Sequence, residues 1–283
     1  MQQIKPKQKD DVLLNDILSF HSDTTFKVWW LGQSGFLLKW QEKYLLFDPY
    51  LSDSLSVKYQ HTDKPHVRMS EPAIGPAALN FVDIITSSHN HTDHLDADTL
   101  VPILKNNISV KFIIPEANRS FVVNRVGCEE GFPIGLTDGQ TIEQKGFKIT
   151  GLPAAHNTVE RDEKGQCTFM GYVVQFGQYT VYHSGDTLWF DGLDDLLKPF
   201  HVDIAFLPIN GNKLERRVAG NLNAQEAALL GKAINAKLVI PHHYHLFEFN
   251  TEDPALFEEQ CRNHGVTYKV LQIGEGFVYP SAQ

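Results

Sequence analysis

Short runs of apolar, β-branched and aromatic residues follow one another from residue 26 onward, separated by glycine or by polar turns. Runs of this length and composition are typical of β-strands rather than of amphipathic helices. The first three predicted strands cover 26–31, 36–38 and 44–47. Asp48-Pro49 ends the third strand, because proline cannot continue a central hydrogen-bonded ladder.

Beyond residue 80, strand-like runs alternate with segments of helical pattern. The predicted strands are 81–86, 111–114, 147–150, 171–176, 179–182, 204–207 and 237–240, and the predicted helices are 96–104, 117–126, 223–234 and 254–264. Asn223 and Glu226 have the spacing of a capping box at the start of the third of these helices. Strands followed by this alternation predict sheets covered by helices on their outer faces, a four-layer α/β/β/α sandwich.

Two segments lack a clear pattern of either kind. The composition of residues 1–25 predicts a polar N-terminal leader with a short amphipathic stretch at 12–20. Residues 50–80 carry several prolines and many polar residues, which predicts a long loop, and long ordered loops are usually functional. No repeat or linker interrupts the rest, so we expect a single domain over 1–283.

The balance of acidic and basic residues limits the kinds of partner that the protein can bind. Among the 283 residues, 25 are Lys or Arg and 34 are Asp or Glu, which gives a net charge of −9. This balance argues against nucleic acid as a partner, because phosphate neutralisation needs a basic face. A small anionic substrate remains compatible, since a local pocket can be positive on an acidic protein.

The compartment is inferred from what the sequence lacks. The sequence contains no apolar run of 18 residues, so it predicts no integral membrane segment. Residues 1–11 contain no apolar signal region. The three cysteines, Cys128, Cys167 and Cys261, are far apart and predict no disulfide framework. We therefore expect a cytoplasmic protein.

The strongest chemical signal lies directly after the predicted strand 81–86. His89, His91, Asp93 and His94 fall within six residues, and imidazole and carboxylate are the usual protein ligands of zinc and similar ions. The alternate residues His89 and His91 can share one ion, while Asp93 and His94 can turn toward a second ion. A loop at a strand end can direct all four side chains to one place.

Further candidate ligands follow later predicted strands. His156 follows 147–150, Asp186 follows 179–182, and a histidine-rich segment, 242–245, follows 237–240. Taken alone, a histidine at such a place is more often structural, and Gly-Asp after a strand is often only a turn. At most one or two of the three histidines in 242–245 can face a single site.

Together these features resemble the metallo-β-lactamase superfamily from about residue 27 to residue 279, and the motif H-x-H-x-D-H stands without a substitution at 89–94. The resemblance implies two divalent metal ions, Mn²⁺ or Zn²⁺, and it selects His243 among the late histidines because the family places its last ligand two residues after a strand-ending proline. It assigns one ion to His89, His91 and His156, the other ion to Asp93, His94 and His243, and places Asp186 between them.

The implied chemistry is hydrolysis by a metal-bound hydroxide. Asp93 is a candidate catalytic residue because it can hold that hydroxide. His183 is the second candidate, because it lies close to the bridging Asp186 in the sequence.

Four segments, 30–36, 47–53, 87–96 and 210–227, resemble the L-ascorbate-6-phosphate lactonase group. That resemblance implies opening of a phosphorylated sugar lactone and assembly as a homo-oligomer. Arg68 in the loop 50–80 and Arg217 in the loop after residue 211 are the candidate phosphate-binding residues, because arginine holds phosphate with two donors. The alternatives are a phosphodiesterase of the N-acyl-phospholipid phospholipase D-like branch and, less favoured, a binding module without catalysis.

Overall fold

The computed structural model describes residues 3–281, and two mixed β-sheets form its centre. The first sheet has seven strands in the order β13-β1-β2-β3-β4-β5-β6. Its strands are β1 (Phe26–Gly32), β2 (Gly35–Trp40), β3 (Lys43–Phe47), β4 (Ile84–Thr86), β5 (Lys111–Pro115), β6 (Ile134–Leu136) and β13 (Gly276–Tyr279). From β3 to β6 the strands run parallel, so the loops after β3 and β4 leave the sheet at the same edge.

The second sheet has six strands in the order β12-β11-β10-β9-β8-β7. Its strands are β7 (Thr141–Gln144), β8 (Phe147–Pro153), β9 (Met170–Phe176), β10 (Tyr179–His183), β11 (Ile204–Pro208) and β12 (Leu238–His242). Strands β8, β10, β11 and β12 share one direction, because β9 is antiparallel to both β8 and β10. Their carboxyl ends therefore lie along one edge.

Aromatic side chains join the facing surfaces of the two sheets. The ring centroids of Phe36 on β2 and Phe206 on β11 lie 4.3 Å apart, and those of Phe26 on β1 and Phe176 on β9 lie 5.0 Å apart. These four side chains are almost completely buried, and their burial stabilises the packing of one sheet on the other.

Helices complete the outer layers. They are α1 (Asp10–Ser19), α2 (Ser54–Tyr59), α3 (Ala97–Asn106), α4 (Arg119–Val126), α5 (Leu193–Leu197), α6 (Ala224–Ala233) and α7 (Pro254–His264). Helix α6 contacts α7, β11 and β12, and α3 contacts α4. The predicted capping box is present, since Asn223 accepts from the Glu226 N–H and Glu226 accepts from the Asn223 N–H. The predicted four-layer sandwich is confirmed.

The predicted leader contains helix α1, which is packed against the first sheet. Leu13 and Ile17 are fully buried. Asp16 accepts hydrogen bonds from Lys27 Nζ (2.6 Å) and Trp29 Nε1 (2.7 Å) on β1. Residues 3–25 are therefore an integrated part of the structure rather than a separate leader.

Several boundaries differ from the prediction. Helix α2 and a 3₁₀ turn (Pro76–Ala78) interrupt the predicted loop 50–80, and β4 is shorter than the predicted strand 81–86. Strands β6, β7 and β13 and helix α5 were not predicted. Within residues 3–281, none of the helices has the length and apolar character needed to span a lipid bilayer.

Candidate metal centre

Strand ends of both sheets carry the predicted ligands. The loop 87–96 follows β4, and the N–H groups of His94 and Leu95 donate to the carbonyl oxygen of His91 (3.1 and 2.9 Å). These bonds coil the loop into one turn that carries four of the seven side chains. The other three ligands follow the aligned strands β8, β10 and β12 of the second sheet, namely His156, Asp186 and His243.

The seven side chains form two groups of four that share the Asp186 carboxylate. In each group, one ligand atom from every residue lies within 4.8 Å of the others. The groups are His89, His91, His156 and Asp186, and Asp93, His94, Asp186 and His243. The structure thus brings together all the predicted ligands in the predicted division, with Asp186 between the two groups.

Unpaired polar atoms within these groups fit a divalent cation. Among the described residues, the buried Nε2 atoms of His89 and His94 and the buried Oδ1 atom of Asp186 have no hydrogen-bond partner. His94 Nε2 and Asp186 Oδ1 nevertheless lie only 3.3 Å apart. Buried polar atoms are normally paired, so converging unpaired nitrogen and oxygen atoms are what a metal site requires. Imidazole and carboxylate without thiolate suit Zn²⁺ or Mn²⁺.

Hydrogen bonds at Nδ1 orient three of these imidazoles. The pairs are His94 with Asp48 Oδ2 (2.7 Å), His89 with Ser88 Oγ (3.0 Å) and His156 with the carbonyl oxygen of Gly220 (2.8 Å). A partner at Nδ1 fixes the ring orientation and leaves Nε2 for a metal ion. Asp48 is itself fixed, since its Oδ1 accepts from the Ser88 N–H (3.1 Å) and its Oδ2 accepts from the Ser88 hydroxyl.

Gln33 supports the second group from the turn between β1 and β2. Its Nε2 donates to Asp93 Oδ2 (2.8 Å) and lies 3.1 Å from His243 Nε2. Gln33 is almost completely buried and has a left-handed backbone, with φ of 50°. This backbone conformation turns its amide toward the metal-binding groups.

Burial and neighbouring charges shift the pKa values of the carboxyl and imidazole groups within the candidate metal centre. Burial raises the pKa of the Asp93 and Asp186 carboxyls, but the imidazoles of His94 and His243 outweigh it and hold both pKa values well below the usual range. Burial lowers the pKa of His243, yet Asp186 and Asp93 outweigh it and raise this pKa to about 9. Burial lowers the pKa of His89 well below its usual value. Both carboxylates therefore stay ionised, as a cation site needs.

A cavity of about 390 Å³ opens over these residues. Its floor includes His91, Asp93, His156, Asp186 and His243. The remaining walls are Leu55, Lys58, Tyr59, Lys64, His66, Asn90, Thr92, Arg125, Val218, Ala219, Phe249 and Asn250. A volume of this size accommodates a small molecule.

The two predicted phosphate-binding arginines do not line this cavity. The side chain of Arg68 is only 6% exposed. It donates through Nε to Asp53 Oδ1 (2.6 Å) and through Nη2 to the Ser52 carbonyl oxygen, and its guanidinium lies over the ring of Phe247. The 65% exposed Arg217 pairs with Asp63. Both guanidinium groups are thus engaged outside this cavity, and a role of either arginine in substrate binding stays a prediction.

His183 lies behind the site rather than in the cavity. Its ring stacks on Phe47 (centroids 4.9 Å apart) and on His242 (5.3 Å), and its Nε2 donates to the Ser34 carbonyl oxygen (2.8 Å). Its Nδ1 accepts from the Gly185 N–H (3.2 Å). The ring is fully buried and both of its nitrogens are engaged, so in the structure His183 contacts the Asp186 segment from behind, and its catalytic role stays a prediction.

Sequence reasoning missed Asp48, Gln33, Lys58 and Arg125 as site residues. The sequence indicates Asp48 only as a strand end and as part of a segment of family resemblance, and it indicates Gln33 only as part of such a segment. Their partners, His94 and Asp93, are 46 and 60 residues away along the chain. Arg125 and Lys58 lie on helices with nothing in the local sequence to distinguish them from solvated charges.

Comparison with known proteins identifies the family. Residues 27–243 match the model of the β-lactamase superfamily domain. The chain is also 30% identical over 254 residues to a UPF0173 metal-dependent hydrolase of Methanosarcina mazei, an alignment that covers 88% of this chain and 96% of the relative. The chain belongs to the β-lactamase superfamily and to the UPF0173 family. The predicted superfamily resemblance is thus confirmed, and the name of this relative agrees with the predicted class of metal-dependent hydrolase.

Solved structures support the superfamily fold. A metallo hydrolase of the archaeon Ignicoccus hospitalis is 21% identical with a TM-score of 0.67, and the alignment covers 92% of this chain and 100% of the other. An isothiocyanate hydrolase from Delia radicum gut bacteria is 18% identical with a TM-score of 0.68, covering 89% and 98%. At these identities the likeness concerns the fold alone. The resemblance to L-ascorbate-6-phosphate lactonases is not confirmed by these comparisons.

Proposed function

We propose that this member of the β-lactamase superfamily hydrolyses a small anionic ester with two divalent metal ions, Mn²⁺ or Zn²⁺, and that its substrate is a phosphorylated sugar lactone. The observation that carries the proposal is the Asp186 carboxylate, which belongs to both groups of four ligand atoms. A shared carboxylate is the usual bridge between two metal ions that act on one substrate.

The ions would be held by the two groups that share Asp186. Bound there, they would supply an activated water and stabilise the negative charge that develops on the substrate. Asp93 lines the cavity and remains ionised, so its carboxylate can accept a hydrogen bond from the attacking water and orient it. Gln33 holds Oδ2 of that carboxylate in place through a 2.8 Å hydrogen bond.

The size of the cavity supports a small substrate. A cavity of about 390 Å³ matches a sugar derivative better than an extended lipid. The polar and charged residues that line the cavity beside Leu55, Tyr59 and Phe249 also favour a small polar substrate over a lipid. A phosphodiester is the second candidate, because a two-metal site with a shared carboxylate also suits in-line displacement at phosphorus.

The test is proton release by the metal-loaded protein in a pH-stat. L-Ascorbate 6-phosphate is the lactone substrate, and bis(4-nitrophenyl) phosphate is the phosphodiester. We expect fast, metal-dependent release with the lactone, and a loss of about 100-fold or more in Asp93→Asn. Asp98→Asn, an exposed carboxylate in the first turn of α3, is the matched control and should keep wild-type activity.

The outcomes separate the alternatives. Hydrolysis of the phosphodiester alone would replace the lactone as substrate. A protein that carries two metal ions and hydrolyses neither compound would reject the proposed function. Full activity in Asp93→Asn would remove Asp93 from the mechanism.

A further inference from the structure

The cavity beside the metal-binding groups has a cationic wall. Lys58, Lys64 and Arg125 line it, and none of the three forms an ion pair with a carboxylate among the described residues. The chain has a net charge of −9, and five of its other six arginines form ion pairs with carboxylates. The paired arginines are Arg68, Arg119, Arg161, Arg217 and Arg262. Unpaired cations in one cavity of an acidic protein indicate an anionic ligand.

Arg125 on α4 is held in a fixed position at this wall. Its Nη1 donates to the carbonyl oxygens of Asn90 (2.8 Å) and Leu95 (3.2 Å), and its guanidinium lies 4.4 Å from the ring centroid of Phe121. Within residues 3–281, no hydrogen bond involves its Nε or Nη2. An arginine keeps a two-pronged donor face when these two nitrogens are free, and that face matches two oxygens of a phosphate. Because Asn90 lies between His89 and His91, an anion there is adjacent to the metal-binding groups.

Lys58 provides the second charge from the last turn of α2. Its Nζ lies 5.1 Å from the ring centroid of Tyr59, and among the described residues it makes no hydrogen bond or ion pair. Lys64 differs, because its Nζ donates to the carbonyl oxygen of Arg217 (2.5 Å). Arg125 therefore keeps two unused donor nitrogens and Lys58 makes no hydrogen bond or ion pair among the described residues, and their two charges match the charge of a phosphate monoester, about −2.

We infer that Arg125 and Lys58 bind a phosphate monoester group of the substrate, separate from the bond that is hydrolysed. Arg125 holds two phosphate oxygens through Nε and Nη2, and Lys58 supplies a second positive charge. The inference rests on the proposed function for the identity of the ligand as substrate, but the anion site itself is independent of catalysis.

Calorimetric titration of the metal-loaded protein with inorganic phosphate tests the site. We expect Arg125→Gln to weaken phosphate binding about 10-fold or more, and Lys58→Gln to weaken it by a smaller factor. Arg217→Gln removes a nearby but paired arginine outside the cavity and should leave the affinity unchanged. The metal content of each variant is measured in parallel, because Arg125 also holds the loop 87–96.

Each outcome decides the inference. Wild-type affinity in both Arg125→Gln and Lys58→Gln would place phosphate on the metal ions alone and overturn it. An equal loss in Arg217→Gln would overturn it as well, since a general effect of charge would then explain the result. If Arg125→Gln loses metal, Lys58→Gln decides, because among the described residues no hydrogen bond joins Lys58 to the loop 87–96.

A pair of substrates separates this inference from the proposed function. L-Ascorbate 6-phosphate and L-ascorbate differ only in the phosphate group. We expect Lys58→Gln to lower kcat/KM for the first compound by a larger factor than for the second, because only the first compound carries the phosphate group. If the wild-type protein hydrolyses neither compound, the lactonase proposal fails, while the phosphate titration still decides the anion site.

Discussion

His94 Nδ1 lies 2.7 Å from Oδ2 of Asp48, and both side chains are fully buried. This contact joins the end of β3 to the metal-binding loop after β4. We expect Asp48→Asn to weaken binding of the ion near His94 by about 10- to 100-fold, because the amide no longer holds the imidazole as the carboxylate does. Metal titration by calorimetry measures the change. Asp83→Asn, a carboxylate that accepts from the Tyr44 N–H away from the site, is the control, and equal affinities in the two variants would contradict the role of Asp48.

Gln33 is expected to act on turnover rather than on folding. Replacing it with leucine removes the hydrogen bond to Asp93 Oδ2, so the carboxylate loses its orientation. We expect kcat to fall about tenfold or more, with the melting temperature nearly unchanged. Gln41→Leu is the matched control, because Gln41 also has a left-handed backbone (φ 53°) but is an exposed residue between β2 and β3. A wild-type kcat in Gln33→Leu would show that Asp93 needs no such support.

Position 185 requires glycine, because its backbone is left-handed and because a side chain there would collide with Ser88. Its φ is +59°, and a Cβ atom there would lie 2.6 Å from Ser88 Cβ. We expect Gly185→Ala to lower the free energy of unfolding by about 3 kcal/mol in all and to weaken metal binding, because Ser88 holds Asp48 and His89. Gly127→Ala has a similar φ of +66° but no atom within 4 Å, so it should cost only about 1 kcal/mol. Chemical denaturation compares the two, and equal losses would remove the steric part of this explanation.

The contact between α1 and β1 is expected to depend on pH. Burial raises the pKa of Asp16, but hydrogen bonds from Lys27 and Trp29 outweigh it and place this pKa below the ordinary value of 3.8. The carboxylate therefore contributes stability that is present above pH 3.8 and is lost as the pH falls through the folded-state pKa. Asp16→Asn should lower the free energy of unfolding by about 2 kcal/mol at pH 7, and this difference should shrink at pH 3. Denaturation at both pH values is compared with Asp11→Asn, and a difference that persists at pH 3 would contradict the assignment.

Arg68 is expected to serve stability and not substrate binding. Arg68→Lys keeps the charge but loses the planar set of donors that contacts Asp53 and the carbonyl oxygens of Ser52 and Ser70. We expect a loss of about 1–2 kcal/mol in the free energy of unfolding, with KM unchanged. A rise in KM without a loss of stability would restore the original interpretation of Arg68 as a phosphate ligand.

The sequence was most informative where the signal is local. The spacing of His89, His91, Asp93 and His94 is a local pattern, and the burial of β4 before it is visible as an apolar run. The sheet edges were harder, because edge strands are only partly buried. The residues of β7 alternate between exposed and half-buried, and those of β13 are half-buried throughout, so neither strand has an apolar run to reveal it.

Contacts between distant residues explain what the sequence could not predict. Arg68 and Arg217 lie in loops and have the donors that phosphate needs, but their carboxylate partners are 15 and 154 residues away, and nothing in the local sequence reveals such pairing. Arg125 was overlooked for the converse reason, since a charge on a helix is usually solvated. The sequence could therefore predict the side chains that converge at the candidate metal centre, but not the residues that orient them or line the cavity.

The division of ligands between the sheets has a practical consequence. A cut in the short connection between β6 and β7 would leave His89, His91, Asp93 and His94 on one fragment and His156, Asp186 and His243 on the other, so neither fragment alone would carry a complete group. The second fragment would also carry β13, which pairs with β1 of the first. Reassociation of the two fragments would then restore metal capture and turnover together, which makes this fold a candidate scaffold for a split-enzyme sensor.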